Sequence, residues 1–358
     1  MISARVTAML HGNPFDFLPT PALPDESIYR QAEARQARLT KPHGALGRLE
    51  TLACRLAAFT RRLDWLPSRR AVIVCAADHG VAAQGVSAYP QAVTAQMVLN
   101  FLRGGAAVNV LARQMSARIL VVDAGVAADL PDHPRLLKGK IAYGTADFSQ
   151  GAAMSEAQAA ESLRLGVCAF EQVCAEGVDI VAIGEMGIAN TTSASAIIAA
   201  LTGVAPAQVT GRGTGIDDAR LQHKIRVVER ALQVNQPRGR DTLAKVGGFE
   251  IGAMAGVMIA AAAQRVPILL DGFISTAAAL IAAQFAPDIC HAMVASHRSA
   301  ERGHQVALDQ LGLAPLLDLD MRLGEGTGAL LALPIVEAAM RTLQEMATFD
   351  EAGVSERT

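Results

Sequence analysis

Short runs of aliphatic and β-branched residues recur along the chain, separated by alanine-rich stretches. Five runs are near-continuously apolar and end in polar or glycine residues: "AVIVCAADHG" (71–80), "RILVVDAGV" (118–126), "VDIVAIGEMG" (178–187), "VPILLDGF" (266–273) and "AMVASHRS" (292–299). Between them, Thr94–Met115, Ser155–Glu176 and Gly248–Gln264 carry their apolar positions at helical spacing. Unbroken apolar strands alternating with helices predict a parallel sheet buried on both faces. The expected fold class is therefore α/β, a mostly parallel Rossmann-like sheet with helices on both faces.

The two ends of the chain follow another pattern. Residues 25–66 read as two charged amphipathic helices broken at "KPHGALG", and "LLALPIVEAAMRTLQEMATF" (330–349) reads as a third. These segments are expected to pair into a small helical domain built from residues 1–66 and 326–358, with a linker near "LPSRR" (66–70). Residues 67–325 then form the large α/β domain, with its site at the strand C-terminal ends. The last stretch, "DEAGVSERT", reads as frayed. The first 21 residues hold no sustained apolar run, so no signal peptide is expected.

Composition narrows this picture. Of 358 residues, 51% are hydrophobic but only 4% aromatic, so Ala, Val, Leu and Ile must build a core of closely approaching helices and strands. The formal charge of −2 gives no general attraction to nucleic acid or acidic membranes, and any phosphate must be held by a local site. The longest uncharged apolar stretches, such as Ser193–Ala207 and Ile251–Ala263, fall short of the roughly 20 residues that span a bilayer. Five scattered cysteines without a C-x-x-C pair fit buried thiols in a reducing cytoplasm.

The polar residues cluster where a parallel sheet binds ligands. Asp78, His79, Asp123, Glu185, Asp271, Ser296 and His297 all fall at strand C-terminal ends, the edge where open α/β sheets carry their sites. No P-loop and no G-x-S-x-G elbow occurs, and the spacing of His291, His297 and His304 matches no metal-ligand pattern. "GEGTGA" (324–329) formally fits a dinucleotide fingerprint, yet only a helix follows it, with no βαβ unit to open. A second Gly-rich loop, "TGRGTGIDD" (210–218), is an ordinary loop or a phosphate cradle. Glu325, flanked by Gly324 and Gly326, has two readings. It either caps the helix that follows or acts as a base, with glycines that let a ligand approach the backbone.

Several ordered motifs, "KPHGALGRLE", "CAADHGVAAQGVSAYPQAVTAQMV", "GEMGIANTT", "KVGGFEIGAMAGVMIAAAAQRVPILLDGFIS", "SHRSAERGH" and "MRLGEGTGALLALPIVEAA", together resemble the nicotinate-nucleotide–dimethylbenzimidazole phosphoribosyltransferases, over about residues 25 to 349. The resemblance implies transfer of the phosphoribosyl group of nicotinate mononucleotide to 5,6-dimethylbenzimidazole, in the assembly of the cobalamin nucleotide. It implies small-molecule substrates, no cofactor and a homodimer. It places the catalytic base at Glu325 and a second carboxylate, near the ribose, at Glu185. Gly187, Asn190, Thr191, Lys224, Ser299, Arg322 and Gly324 match nucleotide-binding positions, and Tyr89, Met97 and Leu323 match the benzimidazole pocket. The sequence departs from the family pattern at His43 and Ala45, where Pro and Ser are usual, and at Tyr89 and Met97, where some relatives carry smaller or more polar residues. Two competing readings are a nicotinamide-dependent oxidoreductase, against which the misplaced fingerprint counts, and a non-catalytic nucleotide-binding protein, against which the pair Glu185 and Glu325 counts.

Overall fold

The protein is described by a computed structural model that covers residues 13–355. The expectation of no signal peptide falls largely on residues 1–12, outside the described residues. Helices α1 (Glu26–Arg38) and α2 (Arg48–Thr60) come first. Asp25 caps α1 by accepting from the amides of Ser27 and Ile28. The "KPHGALG" turn between them is held by Glu50, which accepts from the Leu46 amide at 2.9 Å and pairs with buried Lys41 at 2.9 Å. His43 and Ala45 are exposed on that turn.

Strand β1 (Arg70–Ala77) is buried at every position after Arg70. It is followed by α3 (Val93–Arg103), α4 (Ala107–Gln114), β2 (Ala117–Gly125) and β3 (Leu136–Lys138). Helix α5 (Glu156–Ala175) leads to β4 (Ile180–Met186). A long crossover then contains α6 (Asn190–Thr202), α7 (Asp218–Asn235) and α8 (Phe249–Ala263) before β5 (Ile268–Leu270). Helix α9 (Phe273–Phe285) connects to β6 (Met293–Ala295). The chain then runs through β7 (His297–Arg298), α10 (His304–Leu311) and β8 (Leu317–Asp318) into the long α11 (Thr327–Glu345).

The main sheet is parallel throughout, in the order β3-β2-β1-β4-β5-β6. Alternate residues of β1 feed two separate cores. Ile73 and Cys75 pack with Leu163, Phe170, Val257 and Leu280 of α5, α8 and α9. Val72 and Val74 pack with Leu52, Phe101, Leu330 and Leu333 of α2, α3 and α11. The two ends of the chain thus meet on one face of the sheet, around a core they share with it. From β1 the chain proceeds to β2 on one side, while β4 lies on the other, so the strand order reverses between β1 and β4. That reversal opens a crevice at the strand C-terminal ends.

Small residues let the layers approach, as the aromatic-poor composition requires. Helix α8 is apolar all round and almost wholly buried. A Cβ on Gly166 of α5 would lie 1.9 Å from the Ala253 carbonyl, and one on Gly256 would lie 2.0 Å from that of Leu163.

The expected strands and helices are all present, with adjusted limits. The segment Thr94–Met115 is two helices, because Gly104 takes a left-handed φ of +84° and ends α3. The run 292–299 divides between β6 and β7, the latter pairing with β8 in a separate two-stranded sheet. β3 is too short for a pattern of its own to reveal it. Within the stretch read as frayed, Asp350–Ala352 belong to a helical turn, Phe349–Ala352, closed by a reciprocal cap between Thr348 and Glu351. No helix of the described residues is long and apolar enough to cross a membrane.

Candidate active site

At the C-terminal ends of β4 and β5, beside the β1/β4 reversal, lies a cavity of about 730 Å³, and every residue that the family resemblance assigns to the site lines it except Lys224. The segments 89–97, 213–214, 297–301 and 322–325 complete its wall.

Glu185 is the penultimate residue of β4, so the strand itself delivers its side chain to the cavity floor. Asn190, at the start of α6, donates a hydrogen bond to its Oε2. Between them Ala189 takes a left-handed φ of +75°, and the Ile188 amide donates to Thr94 Oγ1 at 3.1 Å, which ties this turn to α3. Burial pushes the Glu185 carboxyl up to about 8, with the charges of Asp271 and Glu250 adding to the effect; the Asn190 hydrogen bond opposes it.

Glu325 sits in a turn of three successive left-handed residues, with φ of +86°, +64° and +91° at Gly324, Glu325 and Gly326. The flanking glycines are explained by packing. A Cβ on Gly324 would lie 2.1 Å from Glu185 Oε1, and one on Gly326 would lie 2.9 Å from Val72 Cγ2. Gly184 completes the fit, since a Cβ there would lie 2.3 Å from the Glu325 carbonyl. The glycines therefore let the turn lie flat against β4 and Glu185; approach of a ligand is not needed to account for them.

Glu325 is not the cap of α11. That part is taken by Asp271, just after β5, whose carboxylate accepts from the amides of Gly326 at 2.9 Å, Gly328 at 2.7 Å and Ala329 at 3.2 Å. Glu325 is left with one carboxylate oxygen, Oε2, buried and without a hydrogen-bond partner among the described residues. Burial pushes its carboxyl up to about 7, the Val108 amide works against that, and the Asp271 charge adds to it.

Another part of the cavity wall is more polar, lined by Thr191, Gly213, Ser299, Glu301 and Arg322. Lys224, from α7, stands behind this wall: it is buried and its Nζ donates to Thr191 Oγ1 at 2.7 Å. A Cβ on Gly213 would come within 3.2 Å of that Nζ. Burial brings the Lys224 ammonium down to about 8, against the pull of Glu301. The "TGRGTG" loop joins the rim, because Arg322 donates to the Gly213 carbonyl at 3.1 Å and the Ala88 amide donates to Thr214 Oγ1 at 2.9 Å. Tyr89, Met97 and Leu323 supply an apolar side, with Tyr89 and Leu323 more than half exposed at the mouth.

Not every polar strand end serves the cavity. Asp78 accepts from the Ala127 amide, His79 forms a buried pair with Glu250 at 2.7 Å, and Asp123 holds Lys140 at 3.0 Å. None of these lines the cavity. His304 is likewise committed: Nδ1 accepts from the Ser299 amide at 2.8 Å, so Nε2 carries the proton toward Thr276 Oγ1 at 3.0 Å. Its burial brings the imidazole down to about 3, consistent with a permanently neutral ring. Sequence reasoning did not single out Asp271, Glu301 or Thr214 as site residues. Asp271 was visible as a strand-end acid, but its capping partners lie more than 50 residues away.

A family model described as "Phosphoribosyltransferase" matches residues 22–354. The nicotinate-nucleotide–dimethylbenzimidazole phosphoribosyltransferase of Chloroflexus aggregans is 60% identical over 336 residues, covering 93% of this chain and 95% of the relative. The protein of the same name from Desulforamulus reducens is 52% identical over 336 residues, covering 93% and 96%. The crystal structure of the Thermus thermophilus protein of that name superposes with a TM-score of 0.89 at 49% identity, covering 93% of this chain and all of that one. The "GEGTGA" stretch, lying beyond the last strand and shaped by packing on β4, gives no dinucleotide site to set against this match. The chain belongs to the nicotinate-nucleotide–dimethylbenzimidazole phosphoribosyltransferase family, enzymes of the pentosyltransferase class.

Proposed function

We propose that the protein transfers the 5-phosphoribosyl group of nicotinate mononucleotide to 5,6-dimethylbenzimidazole, giving α-ribazole 5′-phosphate and nicotinate, with inversion at C1′. One benzimidazole nitrogen forms a bond to C1′ as the bond from C1′ to the pyridinium nitrogen breaks. The departing electron pair neutralises the pyridinium, so nicotinate leaves without a proton. The other benzimidazole nitrogen gives its proton to Glu325. The observation that carries this reading is a buried carboxyl with a free oxygen on the cavity wall and a proton affinity near 7, the range that suits a general base.

The remaining roles follow the polarity of the cavity. Glu185 lies beside Gly324 and serves the ribose, where positive charge develops. Thr191, Ser299 and Arg322, with Lys224 behind them, hold the phosphate end, and Gly187, Asn190 and Gly324 shape the wall between. Tyr89, Met97 and Leu323 receive the aromatic base. No cofactor is needed, because the leaving group is already activated. The family resemblance supports a homodimer and a cytoplasmic setting. It also supports treating residues 1–66 with 326–358 as a small helical domain beside the large α/β domain, 67–325.

The test is to incubate the protein with nicotinate mononucleotide and dimethylbenzimidazole and to follow released nicotinate and the α-N-glycosidic product by NMR. No turnover at any pH between about 6 and 9, the range in which such a base titrates, would overturn the assignment.

A further inference from the structure

Asp271 holds the amides of Gly326, Gly328 and Ala329, the residues that follow Glu325. It does so from the end of a different strand, β5, and its own side chain is almost completely buried. The left-handed turn at 324–326 is costly on its own, since an L-residue such as Glu325 in that conformation bears roughly 1–2 kcal/mol. An external anchor must therefore hold it. Asp271 is the anchor, and it lines the same cavity as the two glutamates.

We propose that Asp271 is the positioning residue for Glu325: its carboxylate clamps the start of α11, fixes the turn that aims the Glu325 carboxyl into the cavity, and places a fixed negative charge behind it. This rests on Glu325 being the base. The charge has a consequence beyond geometry. Asp271 acts on both Glu185 and Glu325, raising the proton affinity of each. The groups facing this cluster come from several elements. Glu185 and the Asn190 amide come from β4 and α6, Glu250 from α8, the Val108 amide from α4, and His297 from β7, with its Nδ1 3.8 Å from Asp271 Oδ1. Burial raises the Asp271 proton affinity, and His297 and the three clamped amides work against that rise in favour of its charged form.

The test substitutes Asp271→Asn. The amide keeps the shape but turns one acceptor oxygen into a donor, so either the Gly326 amide or the Gly328 and Ala329 amides lose their partner. Four proteins are compared by kcat, KM for nicotinate mononucleotide and the pH profile of kcat: wild type, Asp271→Asn, Glu325→Gln and the double variant. Displacing a reacting group by about 1 Å costs on the order of 10²-fold, so kcat of Asp271→Asn is expected to fall by about that factor with KM within about threefold. Glu325 works unprotonated, so activity rises with pH through its titration. Removing the Asp271 charge lowers that proton affinity, and the acid limb is expected to move to lower pH. A residue that merely supported the fold would reduce kcat without moving the limb. In the Glu325→Gln background, the Asn substitution is expected to cost less than about threefold more, because coupled residues do not add. An unmoved limb, a kcat within about threefold of wild type, or a full additive loss in the double variant would overturn the proposal. Should Asn disturb the fold, Asp271→Ser, uncharged and smaller, carries the same comparison. The two readings fail separately. Near-normal turnover in Glu325→Gln removes the base itself, whereas a crippled Glu325→Gln beside an unaffected Asp271→Asn removes only the clamp.

Discussion

Replacing Glu325 by Gln is expected to trade activity for stability, and the structure sets the magnitude of the second. Glutamine matches glutamate in size and keeps an acceptor for the Val108 amide, but it neither ionises nor takes a proton. Loss of a general base typically costs about 10²–10⁴ in turnover. The stability gain comes from burial, which lifts the Glu325 carboxyl from its ordinary 4.5 to about 7. Between those two values the folded protein holds a proton that the unfolded chain has released. Folded molecules thus bind more protons, and wild-type stability falls as pH rises through that window. Below 4.5 the penalty is absent, and above 7 it is fully present. At about 1.36 kcal/mol per pH unit of displacement, the cost of ionising the buried carboxyl is about 1 kcal/mol at pH 5 and about 3 kcal/mol at pH 8. The Gln variant escapes it. Urea unfolding of both proteins at pH 5 and pH 8 should therefore show the variant more stable, with the gap roughly four times wider at pH 8. An equal gap at both pH values, or a variant less stable at pH 8, would refute the claim that the site stores this energy in a buried carboxylate.

Gly324→Ala places a methyl 2.1 Å from Glu185 Oε1 at a φ of +86°. It should cost about 1–2 kcal/mol from backbone conformation alone, and turnover should fall as Glu185 is displaced; urea midpoints and kcat measure the two effects. Lys224→Met removes the buried ammonium behind Thr191, and the KM for nicotinate mononucleotide should rise about tenfold or more with a smaller change in kcat, as a lost charged contact implies. Because burial brings that ammonium to about 8, wild-type nucleotide affinity should weaken as pH rises past that value, and the Met variant should lack this limb.

The fold was legible because its signal is local. A strand buried on both faces must be apolar along its length, and the runs at 71–80, 118–126 and 178–187 are so; each becomes a central or next-to-central strand. The end of α3 was also legible in principle, since "RGG" at 103–105 is a helix-stop pattern. The three residues of β3 were not, because pairing with β2 decides them and pattern does not. The catalytic wall was half legible. Glu185 and Glu325 stand out as acids beside glycines, but the reason for those glycines is contact between residues about 140 and 250 apart. Nothing in "LGEGTG" states that Glu185 and Val72 occupy the space where its side chains would go. The capping question stayed open in the sequence for the same cause. A carboxylate before a helix reads as its cap, and only the return of β5 beside α11 gives that part to Asp271.

Once Asp271 holds the helix start, the site contains more negative charge than it satisfies. Glu185, Asp271 and Glu325 share one cavity; burial raises the proton affinity of all three, and the Asp271 charge raises that of the two glutamates further. In a binding site for a neutral or anionic ligand this arrangement would be wasteful, since every ionisation works against the others. It suits a reaction whose charge is positive at the reacting end. In the proposed transfer the pyridinium of the nucleotide, the ribose in the transition state and the benzimidazole before it loses its proton each carry positive charge, which carboxylates on the cavity wall would oppose. On the same proposal the phosphate is held by Arg322, on the cavity wall, with Lys224 behind Thr191. On that proposal a chain with almost no net charge separates its substrate's two charges along a single cavity, and the energy that burial stores in the carboxylates is released where positive charge develops, lowering the barrier.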